Sequence, residues 1–498
     1  MKRLILFILI FMTIDVTVLA SNADTALVEH TSLGKLPMME AMRNPALLGR
    51  AYRSPFSQLS LGIDLLHQSQ ALIPEKGDGY ILPYLRVSTF RPLNSRSTVW
   101  GEASYMTGKQ RDVRWNSTSD YDLLQPYILA DTMGGDTRRE RYAISGGYAA
   151  AIKRWSVGVQ MQVRAEQEYR DHDPRMRGIV TDVTLRAGGG YELDRYRLGV
   201  AIEGNIYKQT NTVAFYREEG VIHEYQMTGL GTEYSRFSGD KRSLYYDGGG
   251  VVLMLHASPT GQSGCFGDIS LDEHRYHRKL AEFNSMPLTD LYNEHLGATI
   301  GWKWENHHSV AVYGHVDYTR RTGNEHVGGA SDARYFPVIA CLTMYKSHLL
   351  DAHAGALYGH EKWHIGLTAG YRTGSEEYIY PHRQMEASHV YGKLQGQCFV
   401  RPADKWLLRL DAHVSHHAST GKKLLMPLAN MDAAITWLIQ HKHQFETANY
   451  TDFGAMVRAD YALKQSRYGL FAELGGGMTL CSASEHQVAL HCSTGITF

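Results

Sequence analysis

Runs in which apolar and polar residues alternate, each opening on an aromatic residue just past a charged turn, constrain this chain more than anything else in it. After Lys153-Arg154 one face carries Trp155, Val157, Val159, Met161 and Val163, and the other carries Ser156, Gly158, Gln160, Gln162 and Arg164. The pattern returns with Tyr196, Leu198, Val200 and Ile202 after Asp194-Arg195, and with Trp363, Ile365, Leu367 and Ala369 after Glu361-Lys362. It returns again with Trp406, Leu408, Leu410 and Ala412 after Asp404-Lys405, and with Tyr468, Leu470, Ala472 and Leu474 after Gln465-Ser466-Arg467. A period of two marks a strand with one apolar face. A soluble sandwich alternates too, but it has no reason to keep an aromatic at the same turn-proximal position. A strand entering hydrocarbon through a headgroup layer does.

Extending the alternation along the chain gives an all-β fold, a transmembrane antiparallel β-barrel of about eighteen strands, with sixteen or fourteen as the alternatives. The strands fall near 57–68, 80–92, 97–110, 139–152, 153–168, 177–193, 194–212, 243–258 and 263–277. The others fall near 291–306, 307–321, 344–360, 361–376, 384–402, 403–417, 449–466, 467–482 and 485–498. Every second connection is short, and those between are mostly longer, notably 111–138, 213–242, 322–343 and 418–448. Short turns belong on the periplasmic side of such barrels and long loops outside, so both termini are expected in the periplasm.

The ends agree with export. Met1-Lys2-Arg3, an apolar stretch from Leu4 to Leu19 and the small residue Ala20 before Ser21 read as a signal peptide over residues 1–20, cleaved between Ala20 and Ser21. The alternative, an uncleaved anchor, is short for a bilayer span of about 20 residues and carries Asp15. The last strand sets Val488, Leu490, Cys492, Thr494, Ile496 and Phe498 on one face. A terminal aromatic on an alternating strand resembles the signal that the barrel-assembly machinery recognises, so that machinery and outer-membrane lipids are the expected partners. Lys and Arg number 51 against 51 Asp and Glu, which argues against nucleic acid. The five cysteines show no CxxC spacing, and alternation puts Cys481 and Cys492 on opposite faces, so a disulfide framework is not expected.

Two regions depart from a plain pore. Residues 21–55, ahead of the barrel at 56–498, include Met38-Met39-Glu40-Ala41-Met42-Arg43-Asn44-Pro45-Ala46-Leu47-Leu48-Gly49. They read either as a lumen hatch, with Asn44, Pro45 and Ala46 at its centre, or as a periplasmic strap leading into the first strand. The second region is a set of outer loops in which proline sits among apolar residues: Leu72-Ile73-Pro74, Leu123 to Leu129, Met286-Pro287-Leu288, Tyr335 to Ile339, and Leu424 to Leu428. The last continues through Asn430, a candidate helix cap, into Met431, Ala434, Ile435, Trp437, Leu438 and Ile439, spaced as an amphipathic helix. Leu425, Pro427, Trp437 and Leu438 are its candidate lid or docking residues. Such loops either pack together over the mouth or offer a surface to an apolar ligand or a partner protein.

Chemistry-bearing motifs are lacking. His223-Glu224 has no second histidine, Gly261-Gln262-Ser263-Gly264 breaks nucleophile-elbow spacing, and Gly229-Leu230-Gly231 lacks the later glycine of a dinucleotide loop. The histidines, among them His413, His416, His417, His441 and His443, match no metal spacing. No enzyme activity, metal or cofactor is expected. Tyr313, His315, Asp317, His353, Arg409, Asp411, His413 and Glu473 fall on inward faces as a mixed-sign set.

The Asn44-Pro45-Ala46 element resembles the N-terminal hatch of the long-chain fatty-acid transporter superfamily, in which a small helical segment plugs a barrel of fewer strands. Taken with the chain length, the Gly- and Tyr-rich strands and the terminal Phe498, the whole chain resembles a family of outer-membrane barrels from Bacteroidota. The genes of that family lie beside TonB-dependent receptors and surface lipoproteins, so the resemblance implies such a protein as partner. Two functions follow as expectations: a gated channel or uptake barrel for a small, apolar molecule, or a plugged scaffold or accessory subunit of a TonB-dependent receptor or secretion complex.

Overall fold

The computed structural model describes residues 23–216, 224–234, 243–261, 263–281, 285–329, 336–360, 362–463, 468–482 and 485–498. The expected cleavage between Ala20 and Ser21 lies outside the described residues. From Phe56 onward the chain forms eighteen long antiparallel strands, from Phe56–Gln68 to His486–Thr497. The first and last pair with each other, from Gln58 opposite Thr497 to Gln68 opposite Gln487, and close the sheet into a barrel. Closure leaves no unpaired edge in the lipid-facing wall, which a bilayer does not tolerate. Among the described residues no helix is long and apolar enough to cross a membrane.

The outward faces carry the apolar rows. Val157, Val159, Met161, Leu367, Leu410, Leu474 and Leu490 all point away from the barrel and are exposed. On the strand Val338–His360 the outward row runs from Tyr358 through Ala356, Ala354, Ala352 and Leu350 to His348, bonded to Tyr318, and then meets Lys346. At about 3.4 Å per residue and a tilt near 40°, Tyr358 to His348 spans roughly 25 Å, the height of a lipid-facing band. At the short-turn end Trp155, Trp302, Trp304, Trp363, Trp406, Tyr468 and Phe498 are exposed as an aromatic girdle.

All eighteen strands expected from alternation are present, and the differences lie at their outer ends. His308–Gly328, Val338–His360 and Trp406–Leu425 run well past 307–321, 344–360 and 403–417. Met286-Pro287-Leu288 belongs to the strand Met286–Glu305 rather than to a loop. Above the bilayer a strand faces water or packed loops on either side, so nothing there enforces alternation. Three further short strands, Leu129–Asp131, Glu224–Gly229 and Thr232–Glu233, form a separate small sheet that the sequence did not announce. All five cysteines are free.

Candidate functional site

The lumen is occupied near both ends. At the short-turn end, the helix Ala23–Thr31 buries Leu27 against Phe399 and Leu407. Glu29 accepts from the backbone N–H groups of Arg53 (2.7 Å) and Ser54 (3.0 Å), and His30 stacks on Tyr52 at 3.9 Å. The chain then crosses the lumen. Gln397 accepts from the Leu33 N–H (2.7 Å) and donates to Thr31 O (2.9 Å) and to Asp411 (2.8 Å).

On the opposite wall stands the Asn44-Pro45-Ala46 element. Asn44 caps the single-turn helix Pro45–Leu48, its side-chain oxygen accepting from the Ala46 N–H at 2.9 Å, with proline at the first helical position. The other end of the same amide donates to Gly189 O (3.2 Å) and Val200 O (3.1 Å). Asn44 and Ala46 are fully buried. Glycines make the room: a Cβ at Gly158 would come within 2.5 Å of the Pro45 carbonyl carbon, one at Gly199 within 2.7 Å of Leu47, and one at Gly188 would overlap the Asn44 side chain. Arg186, paired with Glu203 (2.6 Å), donates to Arg43 O at 3.1 Å.

At the other end the loops fold inward. Trp115, Tyr121, Leu124, Tyr127, Ile128 and Leu129 from residues 114–131, Met227 and Leu230 from 224–230, and Leu438 and Ile439 pack as one buried cluster. It rests on wall residues Tyr207, Tyr246, Tyr276, Leu291, Tyr345, Tyr378 and Met385. Arginines at the outer ends of the strands hold its polar backbone. Arg170, fully buried, pairs with Asp131 at 2.9 Å and donates to Asn116 O (3.3 Å). Arg278 donates to Met227 O (2.9 Å) and Ile128 O (3.2 Å) and pairs with the Gln226 side chain. Arg164 meets both carboxylate oxygens of Asp120 (2.8 and 2.7 Å), and Arg383 donates to Leu230 O (2.8 Å). Arg170, Arg278 and Arg383 thereby satisfy backbone carbonyls that would otherwise be buried without partners.

The long outer loop closes this assembly. Its helix runs Ala434–Glu446 and is capped by the Ala433 backbone; Asn430 instead accepts from the Asp432 N–H at 3.1 Å in a local turn. Of the residues singled out in this loop, Leu438 is buried and Leu425, Pro427 and Trp437 are exposed. The expected apolar face is confined to Ile435, Leu438 and Ile439. Beyond it the buried face continues with His441, which meets Ala71 O at 2.8 Å, and Lys442, which meets Glu376 at 2.9 Å and Glu446 at 3.8 Å. Burial works against the Lys442 ammonium, but those two carboxylates outweigh it and hold its pKa well above the ordinary lysine value. Nearby, burial pushes the Glu75 carboxyl up despite Lys442 and a 3.0 Å hydrogen bond from Tyr121.

Between the two closures the wall is polar and self-paired. His295 bridges Asp272 (3.3 Å) and Asp317 (2.9 Å), His315 meets Asp317 (2.7 Å), and His353 meets Asp351 (3.3 Å). Arg409 pairs with Asp411 (2.7 Å) and approaches Glu473 (3.7 Å); His491 spans Asp64 (2.6 Å) and Glu473 (3.1 Å). His413 bonds Asp452 (2.8 Å) and His417 lies between Tyr391 and Tyr450, whereas His416 is on the outward face, where it bonds Thr451 (2.9 Å). Among the described residues no group of three or more His, Cys, Asp or Glu side chains is arranged to hold a metal ion. Tyr313 sits over His353 at 6.2 Å.

The glycine notch and the arginine clamps are the features sequence reasoning missed. Gly188-Gly189-Gly190 inside a strand was the available signal for the notch. Arg170 and Arg278, inward-facing charges beside apolar loops, were the signal for the clamps.

Solved barrels show distant likeness in overall outline. The ferric enterobactin receptor of Pseudomonas aeruginosa is 10% identical, covering 89% of this chain and 80% of that one at a TM-score of 0.37. The siderophore receptor PiuA of Acinetobacter baumannii is 7% identical over 90% and 82% at 0.42, and the copper transporter OprC 8% over 88% and 80% at 0.41. No curated protein matches the chain. A family model spanning residues 45–498, the whole barrel together with Pro45 and Ala46, does match, and the chain therefore belongs to DUF6850, a family of unknown function.

Proposed function

We propose that this chain is a non-enzymatic uptake barrel of the outer membrane with two closures in series: the segment 23–53 as the periplasmic gate and the loop assembly as the outer gate. The carrying observation is how unequally the two are attached. The N-terminal segment is held by neutral hydrogen bonds such as those of Asn44, by its fit over glycines, by the Arg186 donation to Arg43 O, and by one partly exposed ion pair, Arg50–Glu192 at 2.5 Å. Neutral hydrogen bonds contribute about 0.5–1.5 kcal/mol each, so they can be exchanged for water. The outer assembly is anchored by buried ion pairs such as Arg170–Asp131, and breaking one such pair costs about 3–5 kcal/mol.

The histidine- and carboxylate-lined wall favours a small polar solute over the apolar one that the loop composition suggested, because the apolar loop residues spend their surface on one another. The end segments of the sequence add export with cleavage after Ala20 and insertion by the barrel-assembly machinery, and the family resemblance adds a Bacteroidota setting and a TonB-dependent receptor or surface lipoprotein as neighbour. The buried clamps also favour a second reading, a permanently plugged scaffold for such a neighbour.

Single-channel recording in planar bilayers separates the two. The full chain is expected to be closed, a chain lacking residues 23–53 to flicker, and one lacking also residues 116–130 to conduct steadily. A doubly shortened barrel that remains heat-modifiable, hence folded, and yet passes no current would overturn the uptake reading and leave the scaffold.

A further inference from the structure

The hairpin of His308–Gly328 and Val338–His360 stands taller than its neighbour on one side. Val338–Thr343 pairs with the preceding strand, from Val338 opposite Gly328 to Thr343 opposite Asn324. The following strand, Trp363–Tyr378, begins its pairing only at Tyr345 opposite Tyr378. Among the described residues, no strand covers the second edge of Val338–Thr343. This edge lies in water: the outward row has already turned charged at Lys346, and on the adjoining strands the Glu294–Arg320 pair at 2.8 Å marks the same change.

An unpaired edge exposes backbone N–H and C=O groups, and natural edges are commonly blunted with charge or proline. The six residues Val-Ile-Ala-Cys-Leu-Thr contain neither, and the register shift at Ile339 leaves Ala340–Thr343 as a regular edge paired with Val327 to Asn324. Instead Ile339 is 69% and Leu342 51% exposed, on the part of the hairpin that no bilayer covers. Backbone pairing on this side ends where Ile379 N–H donates to Met344 O at 2.8 Å, and the next residue, Tyr380, is exposed.

We propose that Val338–Thr343 is a docking edge that receives an extended segment of a different polypeptide at the cell surface as an added β-strand, with apolar residues at alternate positions. Main-chain hydrogen bonds supply affinity in this mode, and the alternate side chains supply selectivity. Symmetry argues against a second copy as the occupant. Two barrels in one membrane are related by an axis along its normal, which preserves the upward component of strands tilted by about 35–45°. Because the in-plane component is reversed, two identical edges then cross at about 70–90°, and no ladder of N–H and C=O groups can form between them.

The test uses the full-length barrel in detergent with Cys341, which lies in this edge, as the sole cysteine, the other four being serine. The probe is an uncharged, end-capped peptide of seven residues alternating threonine and valine. We expect saturating peptide to slow maleimide labelling of Cys341 at least tenfold. The same peptide N-methylated at every residue should give no protection, and Leu342→Lys, with heat-modifiability intact, should weaken protection at least tenfold. Absence of protection, or equal protection by the N-methylated peptide, overturns strand addition. A Cys341–Cys341 cross-linked dimer in native membranes would assign the edge to a second copy and overturn the proposal equally. Should Leu342→Lys not fold, the comparison of the two peptides decides the matter alone.

Discussion

Asn44 makes three separate hydrogen bonds with one amide: it caps the turn that follows it and ties that turn to carbonyls on two barrel strands. Replacing it with alanine removes a cap contributing about 0.5–2 kcal/mol and leaves the Gly189 and Val200 carbonyls short of a donor. We expect Asn44→Ala to loosen the N-terminal segment by about 2 kcal/mol in total, the cap and one net hydrogen bond together, while the barrel stays folded. Protease cleavage between residues 32 and 55 should then rise roughly thirtyfold, since 1.4 kcal/mol corresponds to a factor of ten. Unchanged cleavage would mean that the glycine notch, rather than the amide, holds the segment. The Asn-Pro-Ala spelling of the turn was legible, because cap and proline have fixed local meanings. Its receptor was not: whether Gly158 or Gly188 faces a bend, a bilayer or a docked turn depends on contacts far away in sequence.

The barrel strands were legible as elements because a wall with lipid on one side and water on the other enforces a period of two. The outer assembly has no such filter. Its buried faces arise from segments far apart in the sequence, so Leu425 and Trp437 were indistinguishable in sequence from Leu438, which is buried. The buried group Glu75, Tyr121, Lys442 and Glu376 was equally invisible, although it links the first outer loop to the last helix. Glu75 makes a pH prediction possible at this scale. Burial raises its pKa in the folded state, so the folded lid binds the proton more tightly than the unfolded one. Its contribution is fully present below the ordinary glutamate range and is lost as pH rises through the raised value. The urea midpoint of lid opening, followed by proteolysis between residues 114 and 131, should therefore fall with rising pH more steeply in the wild type than in Glu75→Gln. Identical slopes would exclude Glu75 as the group that couples lid opening to pH.

For the whole molecule, the decisive event is closure of the first strand on the last. Phe498 contributes in two ways: its N–H donates to Ser57 O at 2.9 Å as the final rung, and its ring stands outward near Tyr468 at 6.4 Å, within the aromatic girdle. The two contributions separate by mutation. Phe498→Ala keeps the backbone rung and removes the ring, whereas deleting Phe498 removes both. One hydrogen bond in a barrel wall contributes about 1 kcal/mol, which is small beside eighteen paired strands, so loss of the rung alone should leave an assembled barrel nearly as stable. Were the ring read during insertion, it would act earlier, on the yield of folded barrel rather than on its stability. We therefore expect the deletion and Phe498→Ala to lower the heat-modifiable fraction in the outer membrane to the same extent, and Phe498→Tyr to restore it, with the unfolding midpoint of the barrel that does form unchanged. A full yield from Phe498→Ala beside a poor one from the deletion would place the effect in the closing rung. Full yields from both would remove Phe498 from assembly altogether.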